Sequence, residues 1–190
     1  MRTTGPGQPG HLLLDVVDAL VELGIPYAVI GAFAVSFHGV PRYTDDADTA
    51  IWLTDTGKTS RDLMNRFLDS GYRAQLMQGD LDDPISGSII VQDGYENRMD
   101  ILLGIRGMDP GAVQRCVSAS LLDSPVRIIA AEDLIAMKVF AGGPQDLEDV
   151  RGILQVSGKL LDLQLLSRLA HRYGIKVTRA LSKLLRDIMN

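Results

Sequence analysis

Cysteine is nearly absent from this sequence of 190 residues, in which Cys116 is the only example. A single cysteine excludes a disulfide within the chain and also excludes a zinc site built from several cysteines. Proteins of a reducing compartment typically use cysteine this sparingly, so we expect a cytoplasmic protein.

Long apolar runs are missing as well. No stretch approaches the roughly 18 residues of a membrane-spanning helix, so we expect no membrane partner. The start of the chain, MRTTGPGQPG, lacks the apolar centre of a secretion signal and predicts a flexible tail at residues 1–10.

Charge of one sign is not in large excess, because 19 Lys and Arg residues face 24 Asp and Glu residues, for a net charge of −5. This balance provides no global attraction to nucleic acid, although it allows a local basic surface. The length suits one domain with an appendage, or two small units that share a core.

Hydrophobic periodicity divides the remaining chain into two parts. Residues 11–130 mix helical patterns with short apolar runs, which predicts an α/β (α+β) core with a small mixed sheet flanked by helices. The first helical pattern is HLLLDVVDALVEL at residues 11–23, whose apolar side chains recur at helical spacing. The strongest hairpin signal is GSIIVQD-GYE-NRMDILLG, with a turn near Asp93-Gly94. PVRIIA is typical of a short strand or extended segment. From there the pattern is helical, which predicts a C-terminal helical region at residues 131–190 packed on the core.

Three aspartates lie within PRYTDDADT, at the start of an apolar run that is typical of a strand. Side chains alternate between the faces of a strand, so Asp46 and Asp48 should point the same way, opposite to Ala47. Carboxylates spaced in this manner can share divalent cations, which prefer hard oxygen ligands. A solvated turn is the alternative interpretation of such a pair.

Asp100 offers a third carboxylate, in a strand-like segment where an apolar residue would be expected. If that strand neighbours the strand of Asp46 and Asp48, the three carboxylates converge. The alternative is that Asp100 pairs with Arg98 or Arg106.

Gly31 and Ala32 lie at a predicted junction between a strand and a helix, before the acidic strand. Backbone N–H groups at a helix start favour phosphate, and glycine has no side chain that would block its approach. A tight connection without a ligand is the simpler interpretation of this junction taken alone.

The order Ile30-Gly31-Ala32, Asp46-Ala47-Asp48 and Asp100 resembles the nucleotidyltransferase superfamily that includes DNA polymerase beta. More closely, IGAFAVSFHGVPRYTDDAD is similar to the bacterial toxin-type and minimal nucleotidyltransferases. The matching positions are His38, Gly39, Arg42, Thr44, Asp46 and Asp48. A second block, RIIAAEDLIAMKVFAGGPQDLEDVRGIL, matches that family at Lys138, Asp146 and Asp149.

The resemblance implies transfer of a nucleoside monophosphate from an NTP to an acceptor hydroxyl, with two Mg²⁺ (or Mn²⁺) ions. It implies that Asp46 and Asp48 hold both ions, and that Asp100 holds the ion near the acceptor and assists its deprotonation. It further implies phosphate or nucleotide binding by Gly31, Ala32, Arg42, Thr44 and Lys138, with Asp146 and Asp149 in an outer layer of the site. On pattern alone, the alternative for Lys138 is a surface lysine, and the alternative for Asp146 and Asp149 is that they complement the dipole of a helix start.

The acceptor stays open at this point: tRNA or other RNA, a protein, or a small molecule such as an aminoglycoside. The resemblance also implies a possible toxin–antitoxin component, with an antitoxin partner or a homodimer. Two positions depart from the family pattern, since Ala32 replaces a glycine or serine and Asp45 replaces a basic residue. They favour an alternative, namely a nucleotide-binding or antitoxin-like module that does not catalyse.

Basic residues are concentrated near the C-terminus of this acidic chain. A solvated helix face explains them, and contact with the phosphates of a nucleic-acid acceptor is the functional alternative. The residues are Arg168, Arg172, Lys176, Arg179, Lys183 and Arg186.

Overall fold

A computed structural model of the chain describes residues 1–80 and 82–189, which form eight α-helices and seven strands. The strands are β1 Tyr27–Val29, β2 Asp46–Ile51, β3 Arg73–Gln78, β4 Ile85–Gln92, β5 Arg98–Ile105, β6 Val117–Leu121 and β7 Ser124–Ile128. The helices are α1 Pro9–Glu22, α2 Gly31–Phe37, α3 Ser60–Asp69, α4 Ala112–Arg115, α5 Ala131–Ala141, α6 Pro144–Ser157, α7 Leu163–Arg172 and α8 Ile175–Met189.

All seven strands join one mixed sheet in the order β3-β4-β5-β2-β1-β7-β6. The pairs β2–β5 and β1–β7 are parallel, and the other neighbours are antiparallel. The predicted mixed α/β class is therefore confirmed. The parallel pair β2–β5 lies at the centre of the sheet and brings together segments that are distant in sequence.

The hairpin expected from GSIIVQD-GYE-NRMDILLG is present as β4 and β5, and its turn includes Asp93-Gly94 as predicted. The Asp93 carboxylate accepts hydrogen bonds from the backbone N–H groups of Tyr95 and Asn97, at 2.8 and 3.0 Å. These bonds satisfy turn N–H groups that pair with no strand, which is why an aspartate suits this position.

The core lies between the sheet and its helices. α1 packs against β2, β5 and β7, and α3 packs against β3 and β4. The apolar residues of α1 recur at helical spacing and are buried, as the sequence predicts for Leu13, Val16 and Leu20. None of the helices formed by residues 1–80 and 82–189 combines the length and apolar character needed to cross a bilayer.

The C-terminal helices form a second packed group. α5 contacts α6, α7 and α8, and α8 also contacts α6 and α7. This group meets the core through α6, because Gly152 lies against Val40 and the Ser157 hydroxyl donates to the carbonyl oxygen of His38 at 3.4 Å. The loop before β2 and the helix α6 are therefore held next to each other.

Two local features could not be read from the sequence pattern. Residues 1–10, for which the sequence predicts a flexible tail, carry specific contacts: Arg2 Nη1 lies 2.6 Å from Asp18 Oδ2, and Asn97 Oδ1 accepts from the backbone N–H of Gln8 at 2.7 Å. The reason is that partners on α1 and in the β4–β5 turn are too distant in sequence for local patterns to reveal. Strand β6 was also not predicted, because VSASL is rich in small residues and lacks a strong apolar alternation.

Candidate active site

The register of β2 and β5 determines which acidic residues meet. In this parallel pair Asp48 lies opposite Asp100, and Asp46 lies opposite Arg98. Ala47, between the two aspartates of β2, is fully buried, while Asp46 and Asp48 are partly exposed on the other face. The predicted alternation is present, and the expected neighbouring of the two strands is present as well.

A cavity of about 450 Å³ opens over this face of the sheet. One part of its lining is polar and includes most of the residues that the sequence singled out. The other part is apolar. The polar lining comprises the side chains of Arg42, Thr44, Asp46, Asp48, Lys138 and Asp146 together with Gly31 and Ala32, whose polar groups belong to the backbone, and the apolar lining comprises Ile30, Pro84, Ile85, Leu102, Ile105, Met137, Phe140 and Ala141.

The environment of Asp48 in this cavity disfavours the charged form of its carboxyl group. Burial raises the pKa of its carboxyl to about 6, and the negative charges of Asp46 and Asp100 act in the same direction. Lys138 and Arg42 oppose the increase in the pKa without cancelling it. The Asp46 carboxylate, by contrast, accepts a hydrogen bond from Thr44 Oγ1 at 2.7 Å, which fixes its orientation.

Gly31 is shaped to Asp48 as well as to the cavity. It begins α2 with a φ of +61°, a conformation that glycine adopts without strain. A Cβ atom built at this position would lie only 2.0 Å from Asp48 Oδ2. The Ile30 N–H also donates to the carbonyl oxygen of Asp48 at 3.0 Å. The glycine therefore permits close approach of α2 to the acidic strand.

Asp100 does not point its carboxylate into the cavity. Arg98 holds both carboxylate oxygens, with Nε and Nη2 each at 2.9 Å. The pairing that the sequence offered only as an alternative is thus present, and Asp100 is not among the residues that line the cavity. Among the residues that the structure describes, no three His, Cys, Asp or Glu side chains are grouped closely enough to hold a metal ion. The three carboxylates therefore converge through their strands and not through their side chains.

Lys138 is a buried residue, so its alternative interpretation as a surface lysine is wrong. Its side chain is 6% exposed, and its ammonium lies 2.8 Å from both Asp146 Oδ1 and Asp149 Oδ2. Arg42 Nη1 lies 2.8 Å from Asp149 Oδ2. Two cations and two carboxylates thus form one network that joins α5, α6 and the loop before β2. The helix dipole alone does not explain Asp146 and Asp149, because both carboxylates bind Lys138.

Asp45 and His38 lie outside the cavity lining. Asp45, which departs from the family pattern, is exposed and accepts a hydrogen bond from Tyr43 Oη at 2.5 Å. It does not line the cavity. His38 Nε2 lies 2.8 Å from the carbonyl oxygen of Ile129, so this ring contacts the backbone next to β7.

Sequence reasoning missed the apolar wall of the cavity, whereas it offered the pairing of Arg98 with Asp100 as an alternative. The spacing of Arg98 and Asp100 was a usable signal, because residues at i and i+2 share one face of a strand. The apolar wall had no such signal, since Ile85, Leu102 and Phe140 come from β4, β5 and α5 and meet only in the fold.

Similar structures clarify this architecture. The solution structure of the antibiotic-resistance factor ANT(2'')-Ia matches with a TM-score of 0.59 and 16% identity, over 94% of this chain and 95% of that chain. A crystal structure of ANT(2'')-Ia in complex with adenylyl-2''-tobramycin matches with a TM-score of 0.60 and 18% identity, over 87% and 98% of the two chains.

Two further matches come from other proteins. An antigenic nucleotidyltransferase-like protein from Paracoccidioides brasiliensis has a TM-score of 0.56 and 16% identity, over 97% of this chain and 91% of that chain. The lincosamide antibiotic adenylyltransferase LnuA, bound to lincomycin, has a TM-score of 0.52 and 13% identity, over 80% and 99%. No family model matches the chain, and no curated protein sequence matches it. The sheet topology and these likenesses show that the chain has the nucleotidyltransferase fold.

Proposed function

We propose that this protein transfers a nucleoside monophosphate from an NTP to the hydroxyl of an acceptor in a reaction that depends on a divalent metal. The observation that carries the proposal is the pair Asp46 and Asp48 on one face of β2, with Asp100 in register on β5. These carboxylates lie beside a cavity of about 450 Å³ in a nucleotidyltransferase fold.

The donor set fits Mg²⁺ or Mn²⁺ in part. Asp46 and Asp48 line the same cavity and offer hard oxygen ligands, which these ions prefer. Asp100 would join them only after Arg98 releases its carboxylate. When bound, one or two such ions supply Lewis-acid stabilisation of the attacking and leaving oxygens.

The side chains of the protein would then divide the remaining tasks. The acceptor oxygen forms a bond to the α-phosphorus, and the bond from this phosphorus to the bridging oxygen breaks, so that pyrophosphate leaves. The proton of the acceptor hydroxyl passes to the Asp100 carboxylate. Gly31 and Ala32 bind terminal phosphate oxygens through backbone N–H groups, while Thr44 keeps Asp46 oriented through its 2.7 Å hydrogen bond.

Lys138 and Arg42 contribute positive charge to the cavity in this proposal, although both are paired with carboxylates. Both lower the pKa of Asp48, so their fields extend into the acidic part of the cavity. Their role is thus to attract the triphosphate as part of a rigid network, with Asp146 and Asp149 holding them in position.

A small molecule is the acceptor that the comparisons favour. ANT(2'')-Ia is seen with adenylyl-2''-tobramycin and LnuA with lincomycin, so the fold serves small hydroxyl-bearing acceptors in those proteins. The cavity here adds an apolar wall that includes Ile85, Ile105 and Phe140. A toxin–antitoxin role, an antitoxin partner and a homodimer stay predictions from the sequence alone.

A catalytically degenerate nucleotide-binding module is the second candidate, and it rests on Ala32 and Asp45. Ala32 keeps its backbone N–H, which is the group the proposed phosphate contact needs. Asp45 is exposed and outside the cavity lining, so it adds no carboxylate to the site. Neither departure therefore removes a group on which transfer depends.

The deciding experiment is an acceptor screen with each α-³²P-labelled NTP and Mg²⁺ or Mn²⁺. Aminoglycosides, lincosamides, tRNA and protein extracts serve as acceptors, and the Asp48→Asn variant is the control. Label transfer that needs both metal and Asp48 supports the proposal. NTP binding in calorimetry without label transfer to any acceptor would instead establish the degenerate module.

A further inference from the structure

The helix α8 separates its apolar and basic residues onto opposite faces. Val177, Leu181 and Leu184 are buried against the neighbouring helices. At about 100° per residue, four basic residues lie within an arc of about 80° on the opposite side. We call these four residues, Lys176, Arg179, Lys183 and Arg186, the α8 basic face.

All four residues of the α8 basic face are exposed, and none forms an ion pair among the residues that the structure describes. Arg172 is close to these residues in the sequence, but in the structure it contacts other parts of the protein. Its guanidinium lies 3.5 Å from Asp109 Oδ2 and donates to the carbonyl oxygen of Gly107 at 3.1 Å. Arg172 is therefore engaged within the protein, whereas the α8 basic face is exposed to solvent.

The charge of the chain is strongly asymmetric as a result. Residues 163–189 contain six Lys and Arg residues and one acidic residue, Asp187, and so carry a net charge of +5. The whole chain carries −5, so the remainder carries −10. A basic region of this kind in an acidic protein attracts polyanions locally while the rest of the surface repels them.

We propose that the α8 basic face binds the phosphodiester backbone of a nucleic acid. With a rise of 1.5 Å per residue, its charges extend over about 15 Å and are separated by about 4.5–6 Å along the helix axis. This spacing allows several successive phosphates of one strand to be contacted at once. The inference is independent of nucleotidyl transfer, because it involves none of the cavity residues.

The chemistry of the same face argues against a lipid surface. Interfacial helices insert an apolar face into the bilayer, but the apolar face of α8 is already buried against the protein. The sequence of α8, IKVTRALSKLLRDIM, also contains no aromatic residue on which bases could stack. We therefore expect binding that follows the phosphate backbone and is independent of base sequence.

Fluorescence anisotropy with labelled 20-base-pair duplexes of RNA and of DNA tests the inference, without NTP. If about four phosphates are contacted, affinity should fall by roughly 100-fold between 50 and 200 mM salt. Each single change, Lys176→Gln or Lys183→Gln, should weaken binding to every sequence alike and reduce the magnitude of the salt slope by about 1. The RNA and DNA arms show which nucleic acid is preferred.

Matched controls are Arg61→Gln on α3 and Lys159→Gln, which remove exposed basic residues outside α8. The single α8 variants leave the buried apolar face intact, and circular dichroism checks their folding. The inference is overturned if the controls weaken binding as much as the α8 variants do. It is equally overturned if neither duplex binds, or if anionic vesicles or polyglutamate bind through the α8 face more tightly than the duplexes.

Discussion

Two groups of charged side chains contribute to the same cavity and differ in how their charges are compensated. On α5, α6 and the loop before β2, Lys138 and Arg42 face Asp146 and Asp149 at 2.8 Å, so cations and carboxylates are equal in number. On β2, Asp46 and Asp48 are adjacent carboxylates with no ion pair among the described residues. We refer to these groups as the balanced network and the acidic strand.

The difference indicates separate roles. A buried network with matched charges is complete without a ligand and holds two parts of the fold in register. The acidic strand lacks compensating positive charge, and burial together with like charges raises the pKa of Asp48 to about 6. Charge that the protein leaves uncompensated is charge that a bound cation can compensate, which is why we assign the chemistry to the acidic strand and the positioning to the balanced network.

The largest expected effect is on the acidic strand. Asp48→Asn keeps the shape of the side chain but removes a metal ligand, so nucleotidyl transfer should fall by orders of magnitude. Asp46→Asn should act similarly. Asp45→Asn is the matched control, since this neighbouring carboxylate is exposed and outside the cavity, and its activity should equal wild type. Steady-state kinetics of nucleotidyl transfer by the three variants tests this, and equal activity in all three would contradict the assignment.

The same Asp48→Asn variant should be more stable than wild type when metal is absent. A folded-state pKa of about 6, above the ordinary 3.8, means that ionising Asp48 opposes folding at pH 7. The difference is up to about 3 kcal/mol above pH 6, and it should shrink as the pH falls from 6 toward 4 and wild type gains the proton. Urea unfolding in EDTA at pH 7 and pH 5 measures it, and a variant less stable than wild type at pH 7 would contradict the assignment.

Breaking the balanced network should instead affect stability first. Lys138→Met leaves Asp149, whose side chain is 3% exposed, with Arg42 as its remaining cation. Removing one partner of a buried ion pair costs up to about 3–5 kcal/mol. Because Arg42 still compensates Asp149, the free energy of unfolding should fall by part of that amount. Lys159→Met, at an exposed lysine, is the control. Calorimetry with Mg-ATP on the folded fraction then tests whether NTP binding also weakens.

A rescue variant separates charge imbalance from lost packing. Adding Asp146→Asn to Lys138→Met removes one of the two carboxylates left behind, so part of the lost stability should return. If the double variant is as unstable as the sum of the single changes, the network is not electrostatically coupled.

Gly31 connects α2 to the acidic strand, and its replacement should have an intermediate effect. Gly31→Ala imposes a side chain at φ +61° and brings a Cβ to 2.0 Å from Asp48 Oδ2. The backbone part of the cost is about 1–2 kcal/mol. Gly24→Ala is a close control, because its φ is +66° and nothing lies within 4 Å of the added atom. The excess cost at Gly31 over Gly24 should decrease in an Asp48→Ala background, and an unchanged excess would show that Asp48 is not the obstacle.

The smallest expected effect concerns Arg98. Its guanidinium occupies both oxygens of Asp100, so Arg98→Gln should leave that carboxylate free for a cation. The arginine side chain is 44% exposed, and an exposed ion pair is worth up to about 1 kcal/mol, or roughly fivefold in affinity. We expect Mn²⁺ alone to bind up to about fivefold more tightly in calorimetry. Arg73→Gln breaks a comparable exposed pair with Glu96 and should change nothing.

Much of the local structure could be predicted from the sequence. Alternation along a strand determines that Asp46 and Asp48 share a face. Alternating apolar residues on both sides of Asp93-Gly94 predict the β4–β5 hairpin. Helical spacing predicted the buried stripe of α1 and the start of α5 at residue 131. These features depend on neighbours within a few positions, which is the range over which sequence patterns operate.

Only the tertiary structure decided which distant groups meet. The parallel register of β2 and β5 puts Asp100 beside Asp48. The carboxylate of Asp100 nevertheless binds Arg98 and does not line the cavity. Packing of α6 on α5 turned Lys138 from an apparent surface lysine into the centre of an ion network. The physical reason is that periodicity determines which face a residue occupies, whereas the partner of a charge depends on short distances between segments that are far apart in the chain.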